Sequence, residues 1–263
     1  MGVGTVSGYS GAIGALGRVV PFLTFVLLLG GCRQGGPDVV EGELQVTYGP
    51  EMSRLSSADP AVRVEAIRAL AKHGDDRLLS VFVGQMRDED PNVRAVAMYG
   101  ALQLPGGPKG ESFMGLLNDG RAPVRWQAVR GLGYMRCQAA VDRLCYRLVD
   151  PDANVRGAAG WALGRIADPR SAPHLLRVLR DSDETVRMQA ATALGELRRP
   201  EHIEPLTAVL ADPSADVRSG AALALGKIGD KSAIPALRRL LEDPDSWVRE
   251  CAGTALDSIS KGP

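Results

Sequence analysis

Seven copies of the dipeptide Val-Arg stand along this chain at a constant spacing of 31 residues. The seven copies are Val62-Arg63, Val93-Arg94, Val124-Arg125, Val155-Arg156, Val186-Arg187, Val217-Arg218 and Val248-Arg249. A period of this length is typical of repeat architectures in which small supersecondary units stack in a row. A single unit cannot bury its apolar surface alone, so the chain must form an extended stack.

Each Val-Arg pair begins a predicted amphipathic helix, which we call helix A. An alanine stands four residues after Val, a small residue seven after it, and a leucine eight after it in six of the seven copies. These offsets share one helical face, and the small residues allow a neighbouring helix to approach closely. An aspartate three residues before Val is placed to cap helix A in five copies. Those aspartates are Asp59, Asp90, Asp152, Asp183 and Asp245.

A second apolar pattern follows each helix A and predicts a helix B. Large apolar residues stand 20 and 24 residues after Val, as Leu144 and Leu148 do in the third unit. The last unit ends after helix A, which leaves Leu256 and Ile259 without a helix B to cover them. Aromatic residues make up only 5% of the chain, which suits closely packed helices better than β-sheets. The sequence therefore predicts an all-α fold, an α-solenoid of about six and a half helix-turn-helix units over residues 51–260.

The segment Asp-Pro-Ala-Val-Arg-Val-Glu-Ala-Ile-Arg-Ala-Leu, residues 59–70, resembles the HEAT repeat. It is similar in particular to the short bacterial form found in phycobilisome (bilin) lyases. The resemblance implies a right-handed superhelix with the B helices on its concave side. It indicates little about function, because HEAT arrays perform many tasks.

The N-terminal segment differs in composition from the repeats. Arg18 precedes an apolar run over residues 19–29, which would form a helix of roughly 17 Å, too short for a bilayer core of about 30 Å. A short apolar run with a basic flank is typical of a secretory signal. The ending Leu29-Gly30-Gly31-Cys32 resembles a bacterial lipobox, which implies a lipoprotein-type signal peptide over residues 1–31 and lipidation of Cys32. An ordinary cleaved signal is the alternative.

This N-terminus also predicts a location for the protein. Residues 32–50 contain glycine and proline and are expected to form a flexible tether between the lipid and the repeats. The protein would be anchored in the bacterial cell envelope. No aspartate follows Cys32 directly, since Arg33 and Gln34 stand there, and this slightly favours the periplasmic face of the outer membrane over the inner membrane.

The seven Val-Arg arginines invite a functional interpretation, but their recurrence favours a structural one. A catalytic residue is needed once, whereas a structural residue is needed in every unit. An aspartate also stands five residues before Val in six units, so the two rows are expected to form a charge-paired ladder along the stack. These aspartates are Asp88, Asp119, Asp150, Asp181, Asp212 and Asp243.

Residues that differ between units are better candidates for function. Exposed positions of helix B carry a basic patch with one aromatic residue, formed by Arg143, Tyr146, Arg147, His174, Arg177, Arg180 and Arg239. We call it the helix B patch. It would suit an acidic protein segment, an anionic glycan or a lipid headgroup, whereas a solvated helix face is the alternative. Trp126, Trp161 and Trp247 stand at three different offsets and are interpreted as packing residues rather than a ligand site.

The sequence contains no recognisable catalytic constellation and implies no cofactor. The three histidines lack metal-ligand spacing, and the His-Glu dipeptides of HEAT-like deoxyhypusine hydroxylases are missing. Cys137, Cys145 and Cys251 are expected to be buried free thiols. A net charge of zero disfavours a nucleic-acid binder of the HEAT-like alkylpurine-glycosylase kind. We therefore expect a non-catalytic, membrane-tethered scaffold that binds a protein partner. The alternative is an enzyme or chromophore-handling protein of the bilin-lyase type.

Overall fold

The computed structural model describes residues 37–261, and the regular structure in that range is helical throughout. In chain order the α-helices are α1 (Pro37–Arg54), α2 (Pro60–Ala71), α3 (Leu79–Gln85), α4 (Pro91–Gln103), α5 (Lys109–Leu116), α6 (Ala122–Tyr134), α7 (Val141–Arg147), α8 (Ala153–Ile166), α9 (Ala172–Val178), α10 (Glu184–Glu196), α11 (Ile203–Val209), α12 (Ala215–Ile228), α13 (Ile234–Arg239) and α14 (Ser246–Lys261). From α2 onwards the even-numbered helices are the A helices and the odd-numbered ones the B helices. The proposed signal segment and Cys32 lie outside the described residues.

The local signals for helix A act as the sequence predicts. The Asp90 carboxylate accepts hydrogen bonds from the backbone N–H groups of Asn92 and Val93, at 2.8 and 3.1 Å, and so caps α4. The other four aspartates of that row cap their own helices in the same way. Most B helices are short and start with a single 3₁₀ turn, as at Gln138–Ala140 before α7. Each unit is thus helix, turn, helix.

Consecutive A helices approach each other to backbone contact. A Cβ atom on Gly195 of α10 would lie 2.6 Å from the Cα of Ala224 on α12, and one on Gly226 would lie 2.7 Å from the Cα of Ala255. Consecutive B helices from α7 to α13 barely touch. In a curved two-layer stack the layer with the more closely spaced helices lies on the inside of the curve. The A helices therefore line the inner side, and the expectation that the B helices form the concave side is wrong.

The structure also corrects the expected flexible tether. Residues 37–50 are helical and belong to α1, which packs on α2. Leu44 is fully buried, and the Tyr48 hydroxyl donates a hydrogen bond of 3.0 Å to Asp75 while its ring stacks on His73. Pro50 lies inside the helix, and the backbone departs from helical geometry at Tyr48, because a proline ring cannot continue a regular helix. The helix α1 covers the first end of the stack.

The other end is better covered than the sequence indicates. Ile259 is buried and Leu256 half-buried, because α14 packs on α13 and on the turn that follows it. The outward side of α14 is mainly polar and carries the exposed Trp247. Within residues 37–261, no helix combines the length and apolar character needed to cross a membrane.

Candidate functional site

The expected ladder of arginine and aspartate is present at five of its six positions. In each of these five rungs the arginine Nε and Nη2 atoms donate to the two carboxylate oxygens of the aspartate 25 residues later, at 2.7–2.9 Å. The rungs are Arg63–Asp88, Arg125–Asp150, Arg156–Asp181, Arg187–Asp212 and Arg218–Asp243. Every unit from the first to the sixth contributes at least one partner, so the ladder stabilises the stack and marks no single site.

The rung between Arg94 and Asp119 is missing. Asp119 instead accepts from Arg87 at 3.0 Å and from Arg121 at 3.4 Å. Arg121 occupies the position where five other units carry their capping aspartate, and α6 lacks a side-chain cap. Arg94 keeps only its carbonyl acceptors on the Asp88–Glu89 backbone, and its buried Nε has no acceptor in the described structure. The A helices α4 and α6 also touch less than any other consecutive pair of A helices.

The ladder carboxylates are more acidic than usual. Burial by itself raises the pKa of Asp150. The hydrogen bonds from Arg125 and from the backbone N–H of Asp152, together with the Arg125 charge, lower it by more than burial raises it, so the pKa lies below the ordinary value. The same balance lowers the pKa values of Asp88, Asp181 and Asp212. All these carboxylates are therefore ionised in their pairs at neutral pH.

The helix B patch lies on the outer side of the stack. Arg143 and Tyr146 project from α7 and are exposed, with Tyr146 69% accessible. Arg147 is half-buried and already hydrogen-bonded within the protein. It donates to the Leu117 carbonyl at 3.1 Å and to the ladder carboxylate of Asp150 at 3.3 Å.

The rest of the helix B patch is spread along two other units. His174 is half-buried on α9, and Arg177 is exposed on the same helix. Arg177 and the exposed Arg180 border an open groove of about 660 Å³ between α9 and α11. Arg239 ends α13, two units further along. The structure therefore gathers the patch around α7 and α9 and leaves Arg239 apart.

A more concentrated group of side chains lies on the inner side, across α4, α6 and α8. We call it the inner cluster; it consists of Tyr99, Trp126, Arg130, Tyr134, Trp161 and Arg165. The members on α6 stand at offsets of 2, 6 and 10 from Val124, and those on α8 at offsets of 6 and 10 from Val155. Residues four apart share a helical face, so each helix presents its members as one column.

Arg130 lies at the centre of the inner cluster. Its guanidinium carbon is 4.6 Å from the centre of the Trp161 ring, 5.1 Å from that of Trp126 and 5.2 Å from that of Tyr134. These distances are typical of cation–π contacts. Its Nη2 donates a hydrogen bond of 2.6 Å to the Tyr134 hydroxyl. The side chain is thus held in one orientation by rings on two helices.

Arg165 extends the inner cluster along α8. Its guanidinium carbon is 5.3 Å from the centre of the Trp161 ring, and its Nε donates to the Gly133 carbonyl at 3.3 Å. The Tyr99 and Tyr134 hydroxyls are 3.4 Å apart. The hydrogen bond with Tyr99, followed by the charges of Arg130 and Arg165, lowers the pKa of Tyr134, whereas that of Tyr99 is raised.

The arginines of the inner cluster lack acidic partners. Within the described residues, no carboxylate pairs with Arg130 or Arg165, whose hydrogen bonds go to Tyr134 and Gly133. On the same face of the next two A helices, Lys227 is paired with Glu196. Two open grooves adjoin its arginines, one of about 190 Å³ beside Trp126 and Arg130 and one of about 340 Å³ beside Trp161 and Arg165. Each groove also has one carboxylate in its lining, Asp183 and Glu196 respectively. The inner cluster is therefore a positively charged, aromatic surface beside two clefts.

The described part of the chain offers no group of side chains suited to hold a metal ion. His202 is buried, and its Nδ1 lies 3.1 Å from the Leu194 carbonyl. His73 stacks on Tyr48, and His174 lies in the helix B patch. The cysteines also differ from one another, because Cys145 and Cys251 are buried whereas Cys137 is only half-buried, contrary to expectation.

The sequence analysis did not predict the inner cluster. Trp126 and Trp161 were expected to be packing residues, and both do pack against the core, but these half-buried rings also contact Arg130 on the inner face. The available signal was the spacing of four residues, which places Trp126, Arg130 and Tyr134 on one face.

Comparisons with known proteins agree with this architecture. A family model described as HEAT repeats matches residues 52–109, 111–195 and 172–257. No curated protein matches the sequence. Among solved structures, YibA of Escherichia coli is 19% identical with a TM-score of 0.54, covering 88% of this chain and 99% of YibA. An engineered protein is 22% identical with a TM-score of 0.50, covering 82% of this chain and 97% of its own.

A third solved structure is also similar to this chain. The CpcE–CpcF complex of phycocyanin lyase from Nostoc sp. is 20% identical with a TM-score of 0.49, covering 92% of this chain and 99% of that one. Likenesses at such low identity establish a shared repeat fold and nothing about activity.

Proposed function

The chain belongs to the HEAT-repeat family, and on that premise we propose that it is a non-catalytic scaffold that binds a protein partner on its inner face. The observation that carries this proposal is the inner cluster. The regular geometry of the stack is supplied by rows that repeat along the units, whereas the inner cluster occurs once in the described residues. Arginine, tryptophan and tyrosine are the residues most enriched at the energetic centres of protein interfaces.

We further propose that this scaffold is held at a membrane of the bacterial envelope. The lipobox-like ending at Cys32 supports lipidation, and cleavage before it would leave only the short stretch 32–36 before α1. With α1 packed on the stack, such an anchor would hold the repeats close to the membrane surface. The periplasmic face of the outer membrane is the location favoured by Arg33 and Gln34.

Position-specific crosslinking in cells tests the partner-binding face. A photo-crosslinking amino acid replaces Tyr99, which is 46% exposed at the rim of the inner cluster, or Tyr146, which is 69% exposed in the helix B patch. We expect one crosslinked protein band from position 99, lost when Arg130 and Arg165 are both changed to alanine. Crosslinks from position 146 alone would move the binding site to the helix B patch, and crosslinks from neither position would refute the scaffold proposal.

Metabolic labelling tests the anchor separately. Cells that express the wild-type chain are expected to incorporate labelled palmitate into it, whereas the Cys32→Ala variant incorporates none. Equal labelling of the two chains, or no labelling of either, would contradict lipidation at Cys32. Neither result changes the assignment of the inner face, because the two proposals rest on separate parts of the chain.

A further inference from the structure

Arg130 and Arg165 are held in place with most of their hydrogen-bonding capacity unused. A guanidinium carries five N–H donors, and in the described structure each of these two arginines makes a hydrogen bond to one protein acceptor. Stacking on an aromatic ring engages the face of the guanidinium and leaves its in-plane N–H donors free. Neither arginine has a buried N–H donor without an acceptor in the described structure, so the remaining donors of both are accessible to solvent.

The ligand that best matches these accessible donors is a carboxylate. Its two oxygens accept parallel hydrogen bonds from one guanidinium, which is the arrangement already seen at every ladder rung of this chain. Both guanidinium carbons lie within 5.3 Å of the centre of the Trp161 ring, so the two charges flank a single indole. Alternate side chains of an extended peptide lie on one side of it about 7 Å apart, which suits two neighbouring charges of this kind.

The surroundings of the two arginines favour a peptide over a nucleic acid. Nucleic-acid binding draws its affinity from many phosphate contacts, whereas the inner cluster has two cations and the whole chain a net charge of zero. The adjoining clefts carry side-chain amides in their linings, namely those of Asn154 and Gln189. An amide group offers both donors and an acceptor, so it can form hydrogen bonds with a peptide backbone.

We propose that the inner cluster binds an extended acidic peptide segment, with carboxylates of two alternate residues paired to Arg130 and Arg165. An intervening apolar side chain would contact the exposed ring of Tyr99 and the accessible part of the half-buried Trp126 ring. The arginines are already ordered by their aromatic neighbours, so the peptide would not have to immobilise them, which lowers the entropic cost of binding. This inference rests on the proposed scaffold function and specifies the chemistry of its partner.

Fluorescence anisotropy with synthetic peptides tests this chemistry directly. The probe is a fluorescein-labelled peptide of alternating glutamate and alanine, mixed with the purified full chain in a neutral detergent, and the matched probe has glutamine in place of glutamate. We expect the glutamate peptide to bind at least tenfold more tightly. Arg130→Ala together with Arg165→Ala should weaken its binding at least tenfold, whereas Arg143→Ala together with Arg177→Ala should leave it unchanged.

Two further variants keep the test valid if the alanine pair disturbs folding. Arg130→Lys and Arg165→Lys retain the charges but lose the planar fork, so a loss intermediate between wild type and the alanine pair is expected. Circular dichroism verifies that each variant is folded. Equal binding of the glutamate and glutamine peptides would overturn the proposal. So would binding only of a single-stranded oligonucleotide or of vesicles that contain phosphatidylglycerol.

The outcomes distinguish this inference from the function on which it rests. Crosslinks from position 99 in cells without any binding of the glutamate peptide would leave the scaffold function standing and refute the acidic ligand. Peptide binding without crosslinks from position 99 would refute partner binding at the inner face in cells and leave the affinity of the inner cluster for acidic peptides standing.

Discussion

Removing the carboxylate of Asp150 should strongly destabilise the fold, because it belongs to the most buried rung of the ladder. The Asp150 side chain is fully buried and that of Arg125 only 9% exposed. Asp150 accepts two hydrogen bonds from Arg125, one from the backbone N–H of Asp152 and one from Arg147. Asp150→Ala would leave the Arg125 guanidinium buried without its counter-charge.

The expected loss follows from this burial. Breaking a buried ion pair by removing one partner costs about 3–5 kcal/mol. Arg125 would keep two backbone acceptors through its Nη1, the carbonyls of Asp119 and Gly120 at 2.9 and 3.2 Å. We therefore expect a decrease of about 3 kcal/mol in the free energy of unfolding, at the lower end of that range.

Urea unfolding followed by circular dichroism at the helical band measures this loss. The matched control is Asp142→Ala, which removes the same type of side chain from an exposed pair with Arg170, and it should cost less than about 1 kcal/mol. A double variant, Arg125→Met with Asp150→Asn, should lose less than half as much as Asp150→Ala, because it removes the stranded charge.

One outcome would refute this reasoning. If Asp150→Ala and Asp142→Ala reduced the free energy of unfolding by the same small amount, the rung would contribute no more than an exposed ion pair. The recurrence of Val-Arg would then need an explanation other than the ladder.

Three further results are expected. The ladder carboxylates have lowered pKa values, so their stabilisation is present above the unfolded pKa of about 4 and is lost as the pH falls below it, which acid titration of stability would detect. Gly195→Ala should destabilise by about 1–3 kcal/mol in thermal unfolding because its Cβ would collide with the backbone of Ala224, whereas Gly253→Ala, with open space around it, should stabilise slightly. In thiol-labelling kinetics, half-buried Cys137 should react before Cys145, since burial raises the pKa of the Cys145 thiol to about 11.

The features that repeat could be predicted from the sequence. The A helices, their aspartate caps and five ladder rungs follow from residues that return every 31 positions, and the physical role of each residue is the same in every unit. The missing rung could not be read from the two rows alone, because both Arg94 and Asp119 are present in register. Arg87 and Arg121 compete for the same carboxylate, and that competition depends on three-dimensional proximity.

The features that break the pattern were harder to predict. Gly42, Gly49 and Pro50 indicated a tether, but the buried Leu44 and the Tyr48 contacts hold this segment as a helix. The sequence analysis placed the B helices on the concave side, whereas the A helices line it. This could not be predicted, because curvature depends on how closely neighbouring helices approach. The glycines that permit this approach, such as Gly195 and Gly226, stand nine residues after Val in the A helices.

The missing rung between Arg94 and Asp119 has a consequence for how the two ends of the chain communicate. In a linear array each unit is stabilised only by its neighbours, so a weak interface divides the array into two cooperative blocks. The boundary between α4 and α6 lies under the inner cluster, where Tyr99 of one block meets Tyr134 of the other. A ligand that contacts both blocks would stabilise the interface between α4 and α6. Its binding would therefore make the two blocks unfold more cooperatively.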